Sequence, residues 1–172
     1  MSEITPDTRD WADVLTDGCP DCGFSGREDP TTAPTTVTEA AATWQTVLTR
    51  DDATIRRTPA RWSDLEYAAH MRDIFEVFDR RTELMLTEVD PTLDNFDGDA
   101  VALASDYEHQ NPAEVAPALR TAAESYAARL SQVRGDEWDR RGFRSDGREF
   151  TVASLTLYGL HEVRHHLGDV GA

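Results

Sequence analysis

The sequence predicts an all-α protein, a four-helix bundle with a short N-terminal segment and a long loop between its second and third helices. Two observations support this fold class. Helix-start signals recur ahead of apolar residues spaced three and four apart, and the alternating pattern of strands is weak throughout. A chain of 172 residues also has the size of one domain with one hydrophobic core. We therefore expect an N-terminal extension over residues 1–35 and the bundle over residues 36–172.

The first two helices begin at predicted capping boxes. In a capping box, a hydroxyl and a carboxylate three residues apart each bond a free backbone amide at the helix terminus. Thr36 and Glu39 predict the start of the first helix, and Ser63 and Glu66 predict the start of the second. The second helix is expected to run to about Glu88, because apolar side chains recur along it at helical spacing.

The long loop covers residues 89–111, which are acidic and rich in turn-forming residues. Asn111 and Pro112 then predict a third helix, because proline is tolerated at the first helical position. This helix is expected to continue to Gly135. Pro117 would remove a backbone hydrogen bond inside it, which predicts a kink or a later start.

A turn at Asp146 and Gly147 leads to the fourth helix, which Thr151 can cap and which is expected to reach Leu167. Residues 152–160 are apolar nearly all round, as expected of a helix that the other three surround. In such bundles, metal sites lie between facing helices whose ligands project into the core. The fourth helix is therefore the first place to look for ligands.

The chain carries 33 acidic and 17 basic residues, a net charge of −16, and every basic residue is an arginine. A surface of this sign repels nucleic acid and anionic lipid, so we expect a small-molecule substrate and neither a nucleic acid nor a membrane partner. The absence of lysine excludes Schiff-base chemistry by this chain. The first residues, MSEITPDTRDW, have neither the basic nor the apolar part of a secretion signal, and we expect a cytoplasmic protein.

Histidines provide the strongest functional pattern. His161 and His165 are one helical turn apart and share a face, so they can bind one metal ion together. His166 is rotated by about 100° from His165 and does not join them easily. His70 lies within the apolar stripe of the second helix and should face the core. We therefore predict a three-histidine metal site of His70, His161 and His165, the alternative being hydrogen-bonded core histidines.

Residues 161–165 read His-Glu-Val-Arg-His, the pattern of zinc peptidases, with Glu162 in the place of the general base. This peptidase alternative is the weaker one, because Gly171 stands where the extended pattern has a third histidine. On a regular helix Glu162 points away from an ion held by His161 and His165, and it then serves as a partner of a ligand or as a surface carboxylate. Arg72 and Arg164 adjoin the predicted ligands and either steer an anionic substrate or are exposed charges.

Cys19 and Cys22 form the second pattern, in the sequence GCPDCGF. A lone CxxC is half of a zinc knuckle or a redox pair. Three interpretations remain open: a structural site completed by His166, capture of the ion held by the three histidines, and two free thiols at a turn.

Two segments, WSDLEYAAHMRDIF at 62–75 and LHEVRHHLGDV at 160–170, resemble the DinB-like metalloproteins, which include thiol-dependent S-transferases and mycothiol-dependent maleylpyruvate isomerases. The resemblance covers about residues 36–170, and the CPDCGF start is similar to an actinobacterial-type subgroup. It implies a divalent metal on His70, His161 and His165. In the isomerase branch the first member of the pair on the last helix is a glutamate, where this alignment places His161.

The resemblance also implies an activity and an assembly. A zinc or nickel ion with open positions would activate a low-molecular-weight thiol, or water, for transfer to an electrophile, and the chain would form a homodimer. A non-catalytic, metal-stabilised scaffold or ligand-binding protein is the alternative. Loss of activity on metal removal would separate the two, because the scaffold has no activity to lose.

Overall fold

A computed structural model describes Ile4 and residues 8–172. Four long helices form the bundle, as predicted: α2 (Ala33–Val47), α3 (Asp64–Thr87), α5 (Pro112–Leu130) and α6 (Val152–Asp169). Two short helices, α1 (Val14–Asp17) and α4 (Gly98–Ala104), precede α2 and α5 respectively. Single 3-10 turns lie at Trp11–Asp13, Pro30–Thr32, Tyr107–His109 and Gly135–Asp139.

Three of the four predicted helix starts are observed. Ser63 and Glu66 form the predicted capping box, with the Glu66 amide donating to Ser63 Oγ at 3.2 Å. Asn111 accepts from the backbone at the start of α5, and Thr151 accepts from the amide of Ser154 at the start of α6. Local hydrogen bonding therefore sets these starts independently of the rest of the fold.

The predicted capping box at Thr36 is wrong. Helix α2 begins at Ala33, directly after a 3-10 turn in which the Asp29 carboxylate accepts from the amide of Thr31. Thr36 is already inside the helix, where its hydroxyl donates to the carbonyl of Thr32 at 3.2 Å. The aspartate-proline pair thus starts the helix earlier than the threonine-glutamate pair.

Helix α5 starts at Pro112 in spite of Pro117, which lies inside it, and it ends at Leu130 rather than at Gly135. Pro117 is exposed, and so is Ala113, whose carbonyl loses its helical partner. Water can bond that carbonyl, which explains why the proline is tolerated.

A small sheet that the sequence did not predict closes one end of the bundle. Strand β1 (Thr92–Leu93) pairs in parallel with β2 (Arg141–Arg144), and β2 pairs antiparallel with β3 (Glu149–Thr151). The predicted turn at Gly147 joins β2 to β3, with φ at 90°, a conformation that favours glycine. The long loop between α3 and α5 thus contains β1, α4 and one 3-10 turn.

The N-terminal segment packs on the bundle. Ala12, Val14, Cys19 and Phe24 are buried in the same hydrophobic core as Trp44 of α2. Residues 1–3 and 5–7, on which the prediction about a secretion signal partly rests, lie outside the described residues. Among the described residues, no helix is both long and apolar enough to cross a membrane.

Candidate metal centre

Helix α6 carries four candidate ligands near its C-terminal end: His161, Glu162, His165 and His166. Because successive helical residues are rotated by about 100°, these four form two interleaved pairs on adjacent faces. His161 and His165 make one pair, and Glu162 and His166 make the other. The composition of any metal site therefore depends on which neighbouring segment each face contacts.

The Glu162–His166 pair faces His70 of α3. Glu162 Oε2 lies 3.7 Å from His70 Nε2 and 3.4 Å from His166 Nε2. The rings of His70 and His166 meet edge to face with their centroids 4.9 Å apart. One ligand atom from each of the three residues lies within 4.8 Å of the others, a spacing that one metal ion can bridge. We call this group the α3–α6 site.

The His161–His165 pair faces the N-terminal segment instead. His165 Nδ1 lies 3.5 Å from the sulfur of Cys19, and Cys22 completes a group whose four ligand atoms also lie within 4.8 Å of one another. We call this group the cysteine site. The two sites are adjacent, since they share successive residues of α6.

This arrangement differs from the predicted ligand sets. His70 faces α6 as predicted, but the structure groups it with Glu162 and His166 and not with His161 and His165. The physical reason is the packing of residues 11–24, whose aromatic side chains cover the His161 face and turn it away from α3. For the same reason, Cys19 and Cys22 meet His161 and His165, and His166 lies on the other face.

Two carboxylates orient the histidine rings from behind. Asp169 Oδ2 accepts from His166 Nδ1 at 2.9 Å and lies 3.7 Å from His165 Nε2, while Arg61 holds its other oxygen at 2.8 Å. Glu162 Oε1 lies 3.3 Å from His161 Nδ1. Carboxylate–histidine contacts of this kind fix the ring nitrogen that faces a metal. Asp169 was not predicted from the sequence, although its spacing of three and four residues from His166 and His165 was a usable signal.

The charges of the α3–α6 site match those of a cation-binding group. Burial opposes ionisation of Glu162, but the nearby rings of His161, His166 and His70 hold its pKa well below the usual value. Burial also opposes a charge on His166, yet Asp169 and Glu162 raise its pKa to about 9. Burial lowers the pKa of His70, which keeps this ring neutral at pH 7. The site therefore holds a carboxylate, a neutral imidazole and an imidazole whose proton a cation would replace.

A divalent cation fits this group. His70 is buried, and its Nδ1 atom has no hydrogen-bond partner within the described part of the chain. Its Nε2 atom is 3.7 Å from Glu162 Oε2, beyond hydrogen-bonding distance. A cation between Nε2 and Glu162 would give this buried ring a strong partner on that side, while Nδ1 would keep none. Two imidazoles and one carboxylate are also a common ligand set of catalytic zinc sites with an open position.

A cavity of about 640 Å³ lies beside both sites. Its wall combines aromatic and charged side chains, among them Trp11, Trp62, Phe96, Arg9, Arg61 and Asp97. Trp62 and Phe96 also pack on the His70 ring, with centroids 5.2 and 5.9 Å away. A cation in the α3–α6 site would therefore face a space large enough for a small organic molecule.

Arg72 and Arg164, the two arginines considered as steering residues, do not line this cavity. Arg72 pairs with Asp73 at 2.7 Å and donates to Gln110 at 3.0 Å. Arg164 is exposed on the outer face of α6, and its nearest acidic partner is Glu28 at 3.9 Å. Arg61, which does line the cavity, is better placed to meet a substrate.

Comparison with known proteins agrees with the fold. The family model described as the DinB superfamily matches residues 23–170. A solved structure described as "YfiT from Bacillus subtilis is a probable metal-dependent hydrolase with an unusual four-helix bundle topology" superposes with a TM-score of 0.62 at 18% identity. The superposition covers 96% of this chain and 89% of that chain. A search among curated proteins found no match.

Proposed function

Since the chain belongs to the DinB superfamily, we propose that it is a divalent-metal-dependent enzyme, which activates a low-molecular-weight thiol for transfer to an electrophile. The observation that carries this proposal is the convergence of His70, Glu162 and His166 beside the cavity. A cation held there would supply Lewis acidity, lowering the pKa of a thiol or water that it binds.

The chain's own residues prepare this site. Asp169 accepts the Nδ1 proton of His166, so that Nε2 is directed toward Glu162. Arg61 fixes Asp169 in turn. Trp62 and Phe96 exclude water from one side of the His70 ring. The α3–α6 site is therefore preorganised, with its remaining side facing the cavity.

Two features favour a thiol as the nucleophile. The pair that faces His70 begins with a glutamate, the arrangement that the sequence resemblance associates with the mycothiol-dependent isomerase branch. The mixture of aromatic and charged side chains in the cavity wall also suits a polar thiol that carries several hydroxyl groups, as a sugar-based thiol does.

Hydrolysis by activated water is the second candidate. It rests on YfiT, whose title describes a probable metal-dependent hydrolase and which shares the fold at 18% identity. An HExxH peptidase has less support, because His161 and His165 lie with two cysteines, whereas Glu162 forms a candidate site with His70 and His166.

The test compares activity in metal-loaded and metal-free protein. Low-molecular-weight thiols are paired with electrophilic acceptors, and esters and amides are assayed without thiol. We expect thiol transfer that requires metal and falls at least about 100-fold in His70→Ala and Glu162→Gln. His109→Ala is the matched control, because His109 is exposed and contacts Asp106, away from the site.

Each outcome decides between the candidates. Turnover of an ester or amide without thiol would replace the thiol proposal by hydrolysis. Equal activity in His70→Ala and wild type would refute the metal site. Bound metal without turnover in any combination would favour the non-catalytic scaffold.

A further inference from the structure

The segment Gly18–Phe24 is a tight turn that presents both cysteines to α6. The Cys19 amide donates to the carbonyl of Phe24 at 2.8 Å, and the Gly23 amide donates back to the carbonyl of Cys19 at 2.8 Å. Gly18 and Gly23 both have φ at 72°, which other residues rarely adopt. Such a turn over a CxxC sequence holds two sulfurs on one side with little freedom, as zinc knuckles do.

The histidines of α6 face these sulfurs at ligand spacing. His165 Nδ1 is 3.5 Å from Cys19 Sγ, and the four ligand atoms of the cysteine site all lie within 4.8 Å of one another. The residues come from two segments that are more than a hundred positions apart, so the fold and not local sequence brings them together. Two sulfurs and two imidazole nitrogens are the ligand set of structural zinc sites.

One imidazole nitrogen in the cysteine site lacks a partner. His161 is 1% exposed, and its Nε2 atom has no hydrogen bond to any residue that the structure describes. Its Nδ1 atom is already directed toward Glu162 Oε1. A buried nitrogen that is left open beside two thiols carries an energetic cost, which a bound cation would remove.

Aromatic side chains close the cysteine site. Trp11 packs on both rings, with centroids 5.5 Å from His161 and 4.8 Å from His165. Phe24 meets the His161 ring edge to face at 5.4 Å. Cys19 is 3% exposed. His161 and His165 also line the cavity. With four protein ligands, however, a tetrahedral ion in this group would keep no open position for a substrate, which distinguishes it from the α3–α6 site.

We propose that Cys19, Cys22, His161 and His165 bind a zinc-type ion in a closed, structural site that fastens the N-terminal segment to α6. Two thiolates balance the charge of the ion. Because Trp11 and Arg9 line the cavity, the ion also fixes one wall of the cavity beside the α3–α6 site. This site is separate from the one proposed for function, and either can exist without the other.

Cobalt substitution tests the proposal, because thiolate-to-cobalt charge transfer reports sulfur ligands alone. Metal content and absorption are measured in wild type, Cys22→Ser and His70→Ala. We expect Cys22→Ser to lose the charge-transfer absorption together with one metal ion per chain. His70→Ala, which changes the α3–α6 site, should keep that absorption in full, so the two proposals can fail independently.

A second measurement uses the wild-type chain and so does not depend on the folding of a variant. The two thiols of the zinc-loaded protein should resist a thiol reagent and react fully after chelation of the metal. Equal reaction rates with and without zinc would overturn the proposal. Absence of thiolate-to-cobalt absorption in wild type would overturn it too.

Discussion

Glu162 is buried and lies beside three histidines. One of its oxygens lies near His70 and His166, and the other lies near His161. It is thus a candidate ligand in the α3–α6 site and an orienting partner of a histidine in the cysteine site. A single carboxylate therefore connects the two proposed ions.

Gly98 gives a residue-scale prediction. A Cβ atom at this position would lie 2.9 Å from Cε1 and 3.3 Å from Nδ1 of His70, whose ring already packs on Trp62 and Phe96. We expect Gly98→Ala to displace the His70 ring and to weaken metal binding at the α3–α6 site about tenfold or more. Cobalt titration measures this affinity. The two sites can be told apart in the titration, because only the cysteine site gives thiolate-to-cobalt absorption.

Gly168→Ala is the matched control for Gly98→Ala. Gly168 lies in α6, and a Cβ atom there would meet no described heavy atom within 4 Å. Alanine in a helix is favoured over glycine by about 0.5–1 kcal/mol, so the control should keep its metal affinity and gain slightly in stability. Wild-type affinity in Gly98→Ala would show that the His70 ring is not held as tightly as its contacts indicate.

Single residues also show where sequence analysis reaches its limit. The helical wheel correctly placed His70 toward the core, since its neighbours in the sequence define an apolar face. The prediction chose the His161–His165 pair because both members are histidines, but the Glu162–His166 pair has the same spacing. The packing of residues 11–24 against α6 decides which pair faces α3. This packing produces no periodic pattern in the sequence.

At the scale of elements, the starts of α3, α5 and α6 were predictable because a side chain within three residues caps each of them. The sheet was not predictable, because β1 and β3 are very short and acquire their pairing from residues far away in the chain. The early start of α2 was missed because a 3-10 turn, Pro30–Thr32, leads directly into the helix.

The N-terminal segment is joined to the β2–β3 hairpin by an ion cluster. Arg144 makes a bidentate pair with Asp10 at 3.1 and 2.6 Å, and Arg148 contacts the same carboxylate at 3.0 Å. Hydrogen bonds from Arg144 are the main cause of a pKa of about 2 for Asp10. This cluster and the cysteine site hold the same segment at two places.

The Asp10 cluster makes stability depend on pH. Because folding lowers the pKa of Asp10, the stabilisation that its carboxylate provides is complete above pH 3.8 and is lost as the pH falls toward 2. We expect Asp10→Asn to destabilise the protein at pH 7 by about 1 kcal/mol at most, since the carboxylate is partly exposed. Urea unfolding at pH 7 and at pH 3 measures the difference, which should shrink at the lower pH.

Asp51→Asn serves as the control for this prediction, because it removes the same charge from an exposed position after α2. It should change stability little at either pH. A destabilisation by Asp10→Asn that is the same at pH 7 and pH 3 would mean that packing, rather than the ion pairs, accounts for the effect.

At the scale of the whole molecule, the N-terminal segment packs into the same hydrophobic core as the bundle. It contributes Ala12, Val14 and Phe24 to the core, Cys19 and Cys22 to the cysteine site, and Trp11 to the cavity wall. The division into an extension and a bundle follows the sequence pattern, but the packing unites the two. Helix α6 therefore has neighbours on more sides than a simple four-helix bundle provides.

The net charge of −16 also has a structural meaning at this scale. Acidic side chains lie mostly on the surface, whereas Glu162 is buried among histidines. Two bound divalent ions would make the net charge of the loaded protein less negative, and they would do so in the interior and not at the acidic surface. The surface charge remains consistent with a partner other than nucleic acid.

The central claim is that His70, Glu162 and His166 hold the ion that faces the cavity. A crystal structure of the metal-loaded protein, with anomalous scattering measured at the metal edge, tests this most directly. We expect a peak about 2.0–2.2 Å from His70 Nε2, His166 Nε2 and a Glu162 oxygen. A peak bonded to His70, His161 and His165 together would contradict the account.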